Sequence, residues 1–287
     1  PTLRCQIWLC DVSNDARMER IFQAGKPDFV WHTAALKHVP IAEEFPLQTI
    51  ETNLFGTRTV SQLCLRHQVK AMVLISTDKA VYPSSVMGTT KKLAESWMQM
   101  LDRRELQTRF ITVRFGNVLG SNGSVVPLFQ RQLKHGGPLT ITHRDVTRYF
   151  MSLNEAVQLI LQATILGLGE RHKAGSIYIL EMGKPVLIDE LARKMIRFAG
   201  LRPDSDIQIN YTGLRSGEKL HEQLLYEAES DAQTISPSII QGYPAMVDAD
   251  HFSTSLDHLQ HHCRAHDQKM ALELIRTLLI EPGKACN

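Results

Sequence analysis

Residues 70–95 read Lys-Ala-Met-Val-Leu-Ile-Ser-Thr-Asp-Lys-Ala-Val-Tyr-Pro-Ser-Ser-Val-Met-Gly-Thr-Thr-Lys-Lys-Leu-Ala-Glu, and their reading decides the fold. The run Ala71 to Ile75 is continuously apolar, the pattern of a parallel strand covered on both faces. It stops at Ser76-Thr77-Asp78-Lys79, which brings two hydroxyls, a carboxylate and an amine together. Open α/β sheets bind ligands at the carboxyl ends of their strands, and this group falls there. Pro83 and Ser84-Ser85 make a short loop, and either serine can cap a helix. From Val86 the apolar spacing turns helical and carries Lys91 back past the strand end. A solvated turn with a cap accounts for the serines, but poorly for so many titratable groups.

Upstream, residues 6–12 predict a strand ending near Asp11, and Ser13 is a candidate N-cap for a short helix over 14–24. Residues 28–35 predict a second buried strand. Its small terminal residues let a flat ligand approach the backbone. Leu36-Lys37-His38-Val39-Pro40 follows as a loop with two cationic or titratable side chains. A long helix is expected over 47–67. Asn53 is unfavourable inside it, so its side chain is either exposed or bonded to a neighbouring loop.

Downstream, the patterns predict a helix over 86–104 and a strand over 109–118, then a turn at Gly120-Ser121-Asn122-Gly123-Ser124. Helices are expected over 125–134, 154–166 and 188–199, and extended pieces over 139–142, 176–180 and 207–211. A helix is expected from Lys219 to 225, and a last one over 267–279. Alternation of strand and helix through residue 118 argues for an α/β fold with a doubly wound parallel sheet. The shorter, mixed elements beyond it suggest a smaller region supplying substrate contacts.

Composition bounds the function. The 287 residues carry 32 Lys and Arg against 30 Asp and Glu, a net charge of +2. That balance gives no electrostatic reason to expect nucleic acid or a membrane surface as partner. The five cysteines, Cys5, Cys10, Cys64, Cys263 and Cys286, are scattered and form no CxxC. They suggest reduced, mostly packed thiols and a cytoplasmic location. No apolar run approaches a membrane span. The chain opens at Pro1 and runs at once into a strand, as a sequence starting within a longer protein would.

The motifs, taken as an ordered set, are more specific. They are His32-Thr33-Ala34-Ala35-Leu36-Lys37-His38-Val39-Pro40, Thr52-Asn53-Leu54-Phe55-Gly56-Thr57, Ser76-Thr77-Asp78-Lys79-Ala80-Val81, Val86-Met87-Gly88-Thr89-Thr90-Lys91 and Arg114-Phe115-Gly116-Asn117-Val118-Leu119-Gly120-Ser121. Further on stand Thr147-Arg148-Tyr149-Phe150-Met151 and Leu214-Arg215-Ser216-Gly217-Glu218-Lys219-Leu220. The set resembles the extended short-chain dehydrogenases, in particular the polysaccharide-biosynthesis branch, UDP-N-acetylglucosamine 4,6-dehydratases.

The resemblance implies a Rossmann-type sheet lacking its first two strands, with a mixed C-terminal substrate-binding region. Residues 1–122 would be a partial NAD-binding domain, with 139–165 returning to it, and 123–287 mainly the substrate region and C-terminal helices. It implies NAD as cofactor, with NADP left open, a UDP-sugar substrate and a homo-oligomer. Many relatives carry membrane helices upstream. The implied reaction oxidises the sugar at C4, removes water across C5 and C6, and returns the hydride to C6.

The implied catalytic residues are Thr77, Asp78, Lys79, Met87 and Lys91. Thr77 would bond the C4 oxygen, while Asp78 and Lys79 would supply acid and base for the elimination. Acting as a base would require Lys79 to have a lowered pKa. Met87 stands where the wider superfamily has tyrosine, so another group takes the C4 hydroxyl proton, Asp78 first among the candidates. Tyr82 is a further phenol candidate, against loop packing beside Pro83. The cofactor set is Asp11, Val12, Ala34, Ala35, Leu36, Asn53, Ser76 and Lys91. The substrate set is Lys37, His38, Asn117, Arg148, Arg215 and Glu218, the arginines suiting a diphosphate.

Two readings compete with dehydration: a UDP-sugar epimerase, and a non-catalytic module that binds a nucleotide sugar without turning it over. His258, His262 and His266 share a helical spacing that admits a zinc site, against a plain solvated face. The plain face is the reading preferred, and no metal is expected.

No glycine-rich phosphate loop precedes Asp11. The backbone amides and helix N-terminus that bind a pyrophosphate are therefore missing from these residues. The isolated 287-residue chain is expected to bind NAD weakly by calorimetry; tight, stoichiometric binding would overturn this.

Overall fold

The structure, a computed structural model, describes residues 5–104, 107–169, 173–229, 232–245 and 247–279. The first half alternates: α1 (Asp15–Gly25), β1 (Phe29–His32), α2 (Val39–Glu44), α3 (Pro46–Ile50), a π-helical turn (Glu51–Phe55), α4 (Gly56–Arg66), β2 (Ala71–Thr77), α5 (Val86–Asp102) and β3 (Arg109–Phe115). Short elements follow: β4 (Asn117–Val118), α6 (Val125–Lys134), β5 (Leu139–Ile141), β6 (Thr147–Arg148), β7 (Phe150–Met151) and α7 (Leu153–Leu168). Then come β8 (Ile177–Leu180), β9 (Val186–Leu187), α8 (Ile188–Phe198), β10 (Ile209–Tyr211), β11 (Gln233–Ser236), β12 (Ile239–Gly242), α9 (Ala249–Arg264) and α10 (Gln268–Thr277).

The central sheet has the order β1-β2-β3-β8-β12-β11. The pairs β1–β2, β2–β3 and β3–β8 are parallel, and the hairpin β11–β12 adds antiparallel to β8. This is the α/β, mostly parallel sheet expected. β2 lies between β1 and β3, with Ala71 opposite both Phe29 and Arg109. Its near-continuous burial explains why the sequence there is apolar without alternation.

Helices cover both faces. On one, α3 to α5 join α9 and α10 in a core containing Leu54, Leu63, Met98, Phe252 and Ile275. On the other, α7 packs against β3 and β8 through Ala156, Leu159 and Ala163. A third cluster, built on Phe129, Ile141, Ile188 and Ile196, holds the small β5–β10 sheet to α6 and α8. Burial pushes the thiols of Cys64 and Cys263 up to about 12, as packed, unreactive cysteines require. Cys286 lies outside the described residues.

Two sequence expectations are corrected and a third is refined. Residues 6–12 form no strand: Ile7 and Leu9 are 91% and 88% exposed. A strand needs a hydrogen-bonded neighbour, and among the described residues β1 pairs only with β2. The helix over 47–67 forms as one continuous helical run, Pro46 to Arg66, but it is not α throughout: a π turn intervenes around Asn53. No helix runs from Lys219 to 225. That segment bonds the strand-end loop instead, with Lys219 Nζ donating to Val81 O at 2.6 Å. The hairpin β11–β12 has no counterpart in the sequence reading.

One buried ion cluster ties these layers together. Arg114, on β3, has no exposed surface. Its Nε and Nη2 donate to the two oxygens of Glu95 on α5, at 3.1 and 2.8 Å. Nη1 and Nη2 donate to Glu229 at 2.8 and 3.2 Å, and Nη1 also to Leu224 O at 3.0 Å. All five guanidinium protons are thereby used. Burial raises the Glu95 carboxyl, but the Arg114 charge and hydrogen bonds outweigh it and hold Glu95 below its ordinary value.

Removing Arg114 leaves two carboxylates buried without their counter-charge. Arg114→Met is therefore expected to cost roughly 3–5 kcal/mol in urea denaturation, and a loss below ~1 kcal/mol would contradict this role. Because Glu95 is depressed, its contribution is present above its ordinary value of 4.5 and is lost as the pH falls below that.

Candidate active site

At the carboxyl end of β2 the chain leaves the sheet and makes a single 3-10 turn, Asp78–Ala80. Asp78 is fully buried, and one of its oxygens is met by two polar side chains. Its Oδ1 accepts from Thr77 Oγ1 at 2.9 Å and from Lys79 Nζ at 2.9 Å. Its Oδ2 has no hydrogen-bond partner. The space beside that oxygen depends on Gly116, where a Cβ would lie 3.1 Å from it and 2.9 Å from Tyr149 Cβ. Lys79 Nζ also donates to Asn117 Oδ1 at 3.1 Å.

The helix that follows is brought close by another glycine. A Cβ on Gly88 would stand 2.3 Å from Lys79 O, so any other residue would push α5 away from the turn. Ser85 caps α5 by accepting from Gly88 N. Met87 and Lys91 are buried on this helix. Burial pushes the Lys91 amine down to about 8, and the nearby Glu95 carboxylate pulls the other way.

Asn53 is bonded to a neighbouring loop. From the π turn its Oδ1 accepts from Leu36 N at 2.8 Å, and its Nδ2 donates to Leu36 O and to Thr90 Oγ1, both at 3.1 Å. One side chain thus braces the loop after β1 against α5, which accounts for an Asn in a helix. His32 and Thr57 sit beneath it. The Thr57 hydroxyl donates to Asn53 O at 2.7 Å, so it accepts from His32 Nε2 at 3.1 Å, and the ring is the neutral Nε2–H tautomer. Burial first, and the Lys91 charge second, push this histidine down to about 3.

One opening lies along β1 and the residues before it, the other beside the turn after β2. A groove of about 570 Å³ is lined by Val12, Val30, His32, Thr33 and Ala34. A smaller cleft of about 200 Å³ gathers Lys37, His38, Lys79, Arg148, Arg215 and Glu218. Five residues of the expected substrate set, all but Asn117, are thus joined there by the catalytic candidate Lys79. Arg148 is fixed by Glu218 at 3.0 Å and by Thr147 O and Leu220 O. Glu218 also accepts from Thr142 Oγ1 and Arg215 N.

Other expected residues stand apart. Asp11 caps its own turn by accepting from Ser13 N and Oγ. Ser76 is buried against the Glu95 side of β2. Tyr82 has a positive φ of 43°, its ring lies 4.6 Å from that of Tyr226, and its OH accepts from Glu227 N. His266 lies beyond the end of α9, and His262 Nδ1 is 3.3 Å from Asp267.

The sequence reading missed Glu222, which lines the smaller cleft. A second acidic residue four positions after Glu218 was the available signal.

The model of the polysaccharide biosynthesis protein family matches residues 2–244. The chain belongs to this family. It is 46% identical over 234 residues to the capsular polysaccharide biosynthesis protein CapD of Staphylococcus aureus, covering 82% of this chain and 38% of CapD. It is 36% identical over 231 residues to a UDP-glucose 4-epimerase of Rickettsia massiliae, covering 80% of this chain and 64% of that protein. Among solved structures it resembles Pen from Bacillus thuringiensis, with a TM-score of 0.75 and 31% identity over 84% of this chain and 74% of Pen. The family member described here therefore spans well under half the length of CapD.

His32 has a depressed value in the fold, so unfolding takes up a proton between about 3 and 6.5. Stability should fall as the pH drops from 6.5 towards 5. His32→Gln keeps an N–H for Thr57 and is expected to flatten that slope in pH-resolved thermal melts; an unchanged slope would contradict the neutral ring.

Proposed function

We propose that this chain carries the catalytic part of a nucleotide-sugar 4,6-dehydratase that takes UDP-N-acetylglucosamine to its 4-keto-6-deoxy product. The observation that carries this reading is the ion pair of buried Asp78 with half-buried Lys79 at the end of β2, with one carboxylate oxygen unpartnered beside Gly116. Loss of water from adjacent carbons needs an acid at one and a base at the other, and the pair offers both within one site.

Thr77 gives its proton to Asp78 Oδ1, so its oxygen is free to accept from a sugar C4 hydroxyl. The C4 proton can then pass through Thr77 to Asp78, which accounts for an active site with buried Met87 where a tyrosine would serve. Asp78, once protonated, is placed to protonate the departing C6 hydroxyl, and Lys79, in its neutral amine form, to take the C5 proton. Arg148, Arg215, Lys37 and His38 give the small cleft cationic and hydrogen-bonding groups for the diphosphate. Asn117 and Glu218 hold Lys79 and Arg148 in place.

The nicotinamide half of a dinucleotide fits the residues present. Small side chains at Ala34 and Ala35 leave the β1 end open, and the buried Lys91 supplies an amine for the ribose. When bound, NAD supplies a hydride acceptor at C4 and returns that hydride at C6. Val12, Leu36 and Asn53 complete the surroundings on this side. The cytoplasmic location and a homo-oligomeric state belong to the same proposal.

Similarity to a UDP-glucose 4-epimerase favours a second reading, C4 epimerisation of the same class of substrate. Epimerisation has no use for an acid–base pair aimed at C5 and C6. Incubating the complete natural protein that carries this chain with NAD and UDP-N-acetylglucosamine is expected to yield a 4-keto chromophore. Asp78→Asn should lower turnover by about 10²–10⁴-fold with substrate binding retained. Recovery of the C4 epimer alone would sink the dehydratase reading.

A further inference from the structure

A second buried carboxylate faces the cleft that holds Lys79. Glu222 has a side chain only 3% exposed and lies in the irregular segment 219–226. Its Oε1 is 3.8 Å from Lys79 Nζ, and its Oε2 is 3.6 Å from Lys219 Nζ, too far for a hydrogen bond. Oε2 has no hydrogen-bond partner at all. Lys219 is already committed to Val81 O, and Tyr226 OH donates to Ala80 O at 2.6 Å. The segment is therefore fastened at both ends to the loop that carries Lys79, with Glu222 between the fastenings.

A lysine amine on a four-carbon stem is a mobile point charge with three donors, of which Asp78 and Asn117 take two. A carboxylate this buried is costly unless a cation answers it. Each group meets the other's need. The charged and titratable groups facing Lys79 are Asp78 on its own turn, Glu222 and Lys219 from the segment, and Lys37, His38, Arg148, Arg215 and Glu218 around the cleft.

We propose that Glu222 is a positioning residue for Lys79, sharing its ammonium with Asp78 and fixing where the amine sits before substrate enters. The role rests on the acid–base reading of the Asp78–Lys79 pair. It explains a buried acid that makes no hydrogen bond through Oε2 yet is anchored to the active-site loop on both sides.

The test reads Lys79 directly, without substrate. The folded protein is acetylated with acetic anhydride across a pH series, and the Lys79 peptide is quantified by mass spectrometry against exposed Lys134. Glu222→Gln is expected to move the Lys79 labelling midpoint down by about one pH unit, a tenfold change in the equilibrium, with Lys134 unmoved. Glu222→Asp should fall between that variant and the unmodified protein. If the Gln variant does not fold, the Asp variant is read alone, and the expected shift has the same direction and smaller size. A midpoint that stays in place in a folded variant overturns the proposal. A shifted midpoint without any 4-keto product supports Glu222 and counts against the dehydratase; product with an unshifted midpoint does the reverse.

Discussion

A carboxylate with no exposed surface is the constraint from which the site follows. Asp78 sits at the end of a central strand, where burying a charge demands partners nearby. Lys79, the next residue, turns back to supply the charge, and Thr77, the previous one, supplies a hydroxyl. A tight 3-10 turn is what allows three consecutive residues to converge on one oxygen. Gly88 lets α5 approach that turn, and Gly116 lets the backbone pass close to the second Asp78 oxygen, where a Cβ would crowd it. A buried acid with one oxygen saturated and the other waiting is a poor device for stability and a good one for moving a proton.

The pair does not stand alone, because the walls around it are clamped from below. Arg114 joins β3, α5 and the 224–229 segment through five hydrogen bonds. Glu95, one of its partners, also acts on Lys91 one turn earlier on α5. The other, Glu229, accepts from Tyr226 N, and Tyr226 reaches Ala80 O. A single buried guanidinium thus fixes both the helix bearing Lys91 and the segment bearing Glu222. Asn53 performs the matching service on the other side, tying the loop after β1 to α5 through Leu36 and Thr90.

Much of this could be read in the sequence, for reasons that lie in particular residues. The run 71–75 is apolar without alternation because β2 is covered on both faces, so strand, fold class and site position came together. Asn53 announced itself as a polar residue inside a helix, and it is bonded to the neighbouring loop. Other features left no local trace. Residues 6–12 have a strand's composition, but pairing is a property of neighbours, and among the described residues no strand pairs with them. The segment 219–225 has helical spacing, yet its polar atoms gain more from Val81 O and Ala80 O than from each other. Arg114 lies in a motif, but its partners Glu95 and Glu229 are 19 and 115 residues away. Glu222 was hidden for the same reason: its importance comes from a lysine far from it in the chain.

The central claim is that Asp78 and Lys79 exchange protons with a sugar bound beside them. Solvent hydrogen at C5 tests it most directly. With the complete protein turning over UDP-N-acetylglucosamine in D₂O, the earliest product should carry one solvent deuterium at C5 and the substrate's own C4 hydrogen at C6. Lys79→Met should abolish the C5 label. Product from the unmodified protein with no solvent deuterium at C5 would contradict the account.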